Sequence, residues 1–318
     1  MYSKENLEYS ARKGYNMTDI NAILTKPSGK VRVVIDTDAY NEIDDQYAIS
    51  YALNKLDKLQ IEALYAVPFF NMNSASPKDG MEKSYDEIKK LLKLLQRDEL
   101  IEHVYKGSEN YLCDEKTPQE SEAARDLVKR AMNMPEDELL YVVSIGAITN
   151  VASAILMQPA IAKKMVVVWL GGHAHHWRDT KEFNMIQDIA AVRVVFDSGV
   201  PLVQVPCWNV ASHLSITEVE LREYVKGKSI IGDYLYKITC DISKKISGEY
   251  WSRIIWDIAP FMWLAGPEDC TTDYLTHSPI VSYEGTYSID KSRHLMKVVD
   301  YINRDMVFEE LFHTLQHQ

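Results

Sequence analysis

The sequence predicts an α/β fold: a mainly parallel open sheet flanked by helices, with a helical C-terminal portion. Two observations carry this. Short apolar runs of strand length alternate with amphipathic stretches of helix length from residue 31 to about 205. The runs are rich in Val and Ile and apolar throughout, as strands buried on both faces are. Strand–helix alternation of this kind builds parallel βαβ units with helices on both faces of the sheet.

The elements follow in order. Val31–Asp36 reads as a buried strand, and Ile43–Leu56 has apolar residues at helical spacing. Ile61–Val67 is the next strand and Lys78–Leu95 a helix. Glu102–Tyr105 is a short strand and Pro118–Met132 a helix. Leu139–Val143 is a strand followed by a helix from Thr149, and Met165–Leu170 is the strongest buried strand. Asp188–Phe196 reads as helix and Pro201–Val205 as strand. After about residue 215 the pattern becomes helical, closing with a strand at Leu295–Ile302 and a helix at Asp305–Leu315. There is no Pro-, Gly- or Ser-rich linker and no internal repeat. One domain over residues 1–318, with 1–29 as an N-terminal extension, is the simplest division.

Composition narrows the function. The formal net charge of −11 makes nucleic acid and anionic membrane poor partners. A neutral small molecule loses little in that field, and a divalent cation gains. The four cysteines, Cys113, Cys207, Cys240 and Cys270, form no CxxC pair. Zinc-ribbon and thioredoxin readings fail, and reduced, partly buried thiols in a cytoplasmic protein are expected. The polar start MYSKENLEYSARKGYNMTD has no apolar run before a cleavage site, so no secretory signal is expected. No run of about 18 apolar residues marks a membrane span.

In open α/β sheets, ligands sit outside the carboxyl ends of the strands. The segment Asp36-Thr37-Asp38-Ala39-Tyr40-Asn41-Glu42-Ile43-Asp44-Asp45 follows the first strand and enters the first helix. Hard divalent cations take several oxygen ligands, and carboxylates supply both oxygens and charge. A helix N-terminus offsets their repulsion and helps hold Asp44 and Asp45 ionised. Capping accounts for one or two aspartates at such a place but not for four. Three later segments also follow strands or break apolar stretches: Ser144–Ala152, SIGAITNVA; Gly171–Asn184, with His173, His175, His176, Trp177, Glu182 and Asn184; and Trp256-Asp257. Alone, the first is an ordinary strand–turn–helix junction and the last a lone Asp. The three histidines match no trusted zinc spacing, and the carboxylates favour a hard metal. In an extended segment, Glu182 and Asn184 point the same way.

Together these segments resemble the inosine-uridine preferring nucleoside hydrolase family, over residues 31 to about 265. The family's DTDPGxDDxxA is DTDAYNEIDDQYA here, its GPLTNxA is SIGAITNVA, its AEFN is Lys181-Glu182-Phe183-Asn184, and its late His-Asp is Trp256-Asp257. The resemblance implies hydrolysis of the N-glycosidic bond of ribonucleosides, a place in nucleoside salvage, and a homodimer or homotetramer. It implies a Ca²⁺ site held by Asp38, Asp45, the Thr149 carbonyl and Asp257. Asp44 and Asn184 would hold the ribose diol, Glu182 would face the 5′-hydroxyl, Asn71 would contact substrate, and Asp36 would support the metal ligands from behind. Asp38 is the expected base for the attacking water. N-ribosyl cleavage passes through an oxocarbenium-like state, which neighbouring carboxylates stabilise.

Two departures set further expectations. Five residues separate Asp38 from Asp44, where the family has three beginning Pro-Gly. The histidine with which some members protonate the base is Trp256, so leaving-group activation falls to His176, another histidine, Tyr250 or a water chain. Trp177, Trp208, Trp251 or Trp256 could stack on a base, although each is also a candidate for plain core packing. Two rival readings remain at this stage. A haloacid-dehalogenase-like phosphatase also opens with DxD after a strand, although its fifth position is Thr or Val and here is Tyr40. A degenerate nucleoside-binding protein, or a hydrolase of another N-glycoside, also fits the altered loop.

Overall fold

Asp36 to Asp38 lie at the carboxyl edge of the central sheet; the strands of the described chain, in order, are β1 (Val31–Thr37), β2 (Leu59–Ala66), β3 (Val104–Lys106), β4 (Leu140–Ser144), β5 (Met165–Leu170), β6 (Leu202–Val205), β7 (Ser215–Thr217), β8 (Ser252–Ile254), β9 (Thr271–His277), β10 (Ile280–Val281), β11 (Tyr287–Ser288) and β12 (Leu295–Ile302), of which β7 with β8 and β10 with β11 form two small separate sheets. The computed structural model describes residues 17–316. The polar stretch 1–16, where no secretory signal is expected, lies outside the described residues.

The central sheet runs β3-β2-β1-β4-β5-β6-β12-β9. All its neighbours pair in parallel except β12 and β9. The order reverses at β1, which has β2 on one side and β4 on the other. Such a reversal opens a crevice at the carboxyl ends of the two strands.

Alternation along the buried strands divides the core. Val33 and Ile35 of β1 pack on one face of the sheet with the helices Asp45–Asn54, Ile258–Ala265 and Arg304–Gln316. Val34 packs on the other with Glu122–Met132, Thr149–Met157 and Ile189–Ser198. Strand β5 does the same, Val166, Val168 and Leu170 facing one way and Met165, Val167 and Trp169 the other. This two-sided burial is why the strands read as continuous apolar runs.

The sequence expectation needs correction in three places. The segment after residue 215 is not purely helical: helices Glu218–Tyr224, Ile230–Ser247 and Ile258–Ala265 are interleaved with β7 to β11. The edge strand β9 alternates between exposed and half-buried along TTDYLTH, so it lacks the apolar run that marks its neighbours. The helix expected from Pro118 begins at Glu122, where the Ser121 hydroxyl accepts from Ala124 N at 3.0 Å. The strand expected at 102–105 is β3, preceded by a 3₁₀ turn at Asp98–His103. The described part of the N-terminal extension packs on the body: Ile20 and Leu24 join the core. The four cysteines are free thiols, and among the described residues no helix is long and apolar enough to cross a membrane.

Candidate active site

At the crevice the carboxylates have distinct surroundings. Asp36, the last inward residue of β1, accepts from Ser144 Oγ and Asn150 Nδ2, each at 2.9 Å. These bonds hold Asp36 in the floor and tie β1 to β4 and the following helix. Beyond β1 the chain turns, with Asn41 N donating to Asp38 O at 2.7 Å and Gln46 Nε2 to Ala39 O at 2.7 Å. The two extra residues are taken up in this turn. Asp44 and Asp257 occupy the N-cap positions of Asp45–Asn54 and Ile258–Ala265, yet neither side chain caps its helix. Asp44 Oδ2 instead accepts from Trp256 N at 3.0 Å, and Asp45 accepts from the Thr37 hydroxyl at 2.5 Å.

Asp44, Asp45 and Asp257 each present a carboxylate oxygen, and these oxygens lie within 4.8 Å of one another. All three side chains are buried, and Asp38 beside them is 1% exposed. Burial, then the charges of Asp45 and Asp44, pushes Asp38 well above the usual carboxylate range. Burial, then Glu42 and Asp45, does the same to Asp44; burial, then Asp44, Asp45 and Asp38, does the same to Asp257. Asp45 is pushed up to about 6 by burial, against the pull of the Thr37 bond. Burial and neighbouring negative charge therefore raise Asp44 and Asp45 in spite of the helix N-termini at which they stand. Asp38 Oδ2 is buried with no hydrogen-bond partner among the described residues. Buried charges without partners are costly, and a divalent cation supplies the missing compensation. The donor set therefore fits a hard cation.

The cleft above these groups holds about 220 Å³ and is lined by Asp38, Asn41, Glu42, Asp44, Ile145, Leu170, His173, Lys181, Glu182, Phe183, Asn184, Cys207, Trp208, Trp256 and Asp257. Its far wall is the loop after β5. Gly172 has φ 70°, and a Cβ there would meet the Tyr287 hydroxyl at 2.4 Å, so glycine is required. The Gly172 N–H donates to Glu182 Oε2 at 2.9 Å. Glu182 also accepts from Asn184 N and Met185 N, capping the short helix Phe183–Gln187. Glu182 and Asn184 thus enter the cleft from a helix start and not from an extended segment. Burial pushes Glu182 up to about 7, with those N–H groups pulling the other way. Asn184 Nδ2 donates to Leu170 O at 3.0 Å. Trp256 meets Trp208 edge to face, ring centroids 5.7 Å apart. Outside lies a shallower hollow lined by His173, His176, Trp177, Arg178, Asp179, Lys181 and Trp208.

The profile of the family described as "Inosine-uridine preferring nucleoside hydrolase" matches residues 33–309. The chain belongs to this family. The putative pyrimidine-specific ribonucleoside hydrolase RihB of Shigella boydii serotype 4 is 41% identical over 75 residues, covering 23% of this chain and 31% of that protein. The pyrimidine-specific ribonucleoside hydrolase RihB of Escherichia coli O1:K1 / APEC is 42% identical over 73 residues, 22% of this chain and 23% of that protein. The alignments thus span about a third or less of these curated relatives. The fold likeness is much broader. The plant nucleoside hydrolase PpNRh1 superposes over 92% of this chain and 100% of its own, with TM-score 0.72 and 19% identity. The purine-preferring ribonucleoside hydrolase of Gardnerella vaginalis covers 90% of this chain and 98% of its own, with TM-score 0.69 and 18% identity.

The structure brings together Asp38, Asp44, Asp257, Glu182, Asn184 and Trp256 in one cleft, with Asp45 beneath them. Thr149, expected to offer its backbone carbonyl, opens the helix after β4, and its side chain donates away to Asp188 Oδ2 at 2.7 Å. Three expected site residues stand elsewhere. Asn71 donates to Asn41 Oδ1 and reaches the rim through that residue. His176 and Trp177 are exposed and line the outer hollow; His173 lines the inner cleft. Asp44, Asp45 and Asp257 form the most compact oxygen cluster, and Asp38, an expected ligand, is buried beside them with one oxygen unpartnered. Sequence reasoning missed Cys207, Asn41 and Glu42. Cys207 lies two residues beyond β6, so the rule that found Asp38 after β1 also reaches it.

Proposed function

We propose that this chain hydrolyses the N-glycosidic bond of ribonucleosides in a calcium-dependent manner, releasing ribose and free base. One observation carries the reading: the acidic oxygens of Asp44, Asp45 and Asp257 converge beside the unpartnered Asp38 oxygen at the mouth of the sheet. Asp44, Asp45 and Asp257 would hold Ca²⁺, with Asp38 at its side and oxygen-only donors suiting a hard ion. When bound, the ion would orient the ribose diol and lower the pKa of an attacking water.

The rest belongs to the chain's own groups. Asp38, with one oxygen unengaged, takes the proton of that water. The water oxygen bonds to the anomeric carbon as the C–N bond breaks, and the bonding pair leaves on the base nitrogen, which takes up a proton. The surrounding carboxylates stabilise positive charge on the ribosyl ring. Asn184 and Glu182 position the sugar from the opposite wall, and Trp256 with Trp208 offers an aromatic surface for the base. The phosphatase reading requires a free first aspartate in its DxD. Asp36 is fully engaged by Ser144 and Asn150 and does not line the cleft.

Incubation with inosine, adenosine, uridine and cytidine, with Ca²⁺ and then with a chelator, tests this through reducing sugar released. The expected result is release that the chelator abolishes and Ca²⁺ restores. Ca²⁺ and nucleoside binding without release of ribose would leave a binding protein instead.

A further inference from the structure

Lys181 stands where the family motif has Ala, next to Glu182. It lines both the inner cleft and the outer hollow, and so sits at the passage between them. Lys181 is exposed, and its stem packs on the turn between β10 and β11. Gly285, in the turn between β10 and β11 with φ 73°, leaves room for the Lys181 stem, and a Cβ there would meet Lys181 Cγ at 2.7 Å. The turn is fixed to the same loop by Thr180 N donating to Gly285 O at 2.8 Å.

The ammonium is also uncommitted. The hollow's other cation, Arg178, is largely exposed and pairs with Asp179 at 3.3 Å. No carboxylate pairs with Lys181 among the described residues. Glu182 beside it points its carboxylate at three backbone N–H groups. A free cation at the rim of an otherwise acidic cleft is a selective place for one anionic group.

We propose that Lys181 makes 5′-phosphorylated ribonucleosides substrates of this site, the ammonium binding the 5′-phosphate while the diol lies over the acidic cluster. The inference rests on the nucleoside hydrolase reading and on Glu182 facing the 5′ position. A Lys–phosphate contact is charge-assisted, and its loss corresponds to roughly tenfold or more in binding.

The experiment compares inosine with inosine 5′-monophosphate in the Ca²⁺-loaded protein, following ribose and ribose 5-phosphate. Titration calorimetry compares binding of the same two sugars. Cleavage of the monophosphate at a kcat/KM at least equal to that of inosine is expected. In Lys181→Ala, which restores the motif's residue, the ratio of monophosphate to nucleoside kcat/KM should fall at least tenfold. Lys181→Ala should also lose its preference for ribose 5-phosphate over ribose, and Lys181→Arg should keep both. If the wild type cleaves inosine but not the monophosphate, or if Lys181→Ala lowers both substrates equally, the inference fails and the nucleoside reading stands. If neither is cleaved, the nucleoside reading fails, and equal binding of ribose and ribose 5-phosphate then overturns the inference as well.

Discussion

Asp45 and Asp257 are each buried at the start of a helix, and among the described residues no basic side chain pairs with either. Removing one ligand of a small oxygen cage removes both charge and geometry. Asp45→Ala should therefore lower divalent-ion affinity and ribose release together, by more than about 100-fold. Titration calorimetry and the reducing-sugar assay read the two effects, and full activity in that variant would end the metal assignment. Trp256 has another role. Its backbone N–H holds Asp44 while its ring faces Trp208. Trp256→Ala keeps the N–H and loses the ring, so the ratio of purine to pyrimidine kcat/KM should shift several-fold, about the value of one stacked aromatic. Metal affinity should hold. An unchanged ratio would place the base elsewhere.

At the level of elements, the helix Ile258–Ala265 carries Asp257 at one end and is held at the other by the N-terminal segment. Lys26 Nζ donates to Gly266 O at 2.8 Å, Pro267 O at 2.9 Å and Met262 O at 3.4 Å. A cation at a helix C-terminus complements the exposed carbonyls, at about 1 kcal/mol. Lys26→Met should lower stability by that amount and weaken ion binding by roughly two- to fivefold, through a shift of Asp257. Chemical denaturation and calorimetry separate the two, and undiminished ion affinity would show that this helix keeps its position without Lys26. Asn150 does comparable work at β4. It donates to Asp36 and to Ala66 O and accepts from Ser108 N, linking β1, β2 and the loop after β3 at the crevice floor.

For the whole molecule, buried acidity sets the response to pH. Asp36 is pushed up to about 7 by burial, Glu182 to about 7 and Asp45 to about 6, against about 4 in an unfolded chain. Between pH 4 and 7 the unfolded chain releases these protons first, so the folded state binds more of them. Stability then falls as pH rises through that window, and the penalty is complete above the folded values. With chelator present, Tm should decline from pH 5 to pH 8. With excess Ca²⁺, which replaces those protons at the cluster, the decline should flatten or reverse. Identical profiles with and without Ca²⁺ would mean that the acidic cluster binds no ion.

The sequence by itself determined the alternation of strands and helices through residue 205 and the four segments that mark the family. Strands buried on both faces write themselves as apolar runs, and short motifs after strands keep their order whatever their separation. It did not determine β9 or the small hairpins, because half-exposed edge strands carry no apolar run. Nor did it determine which aspartates meet. That Asp44 joins Asp45 and Asp257 while Asp38 is left with an unpaired oxygen, that His173 rather than His176 lines the cleft, and that Gly285 makes room for Lys181 all depend on loops meeting across the sheet edge. Contacts between residues far apart in the chain are fixed by packing, and local spacing holds no record of them.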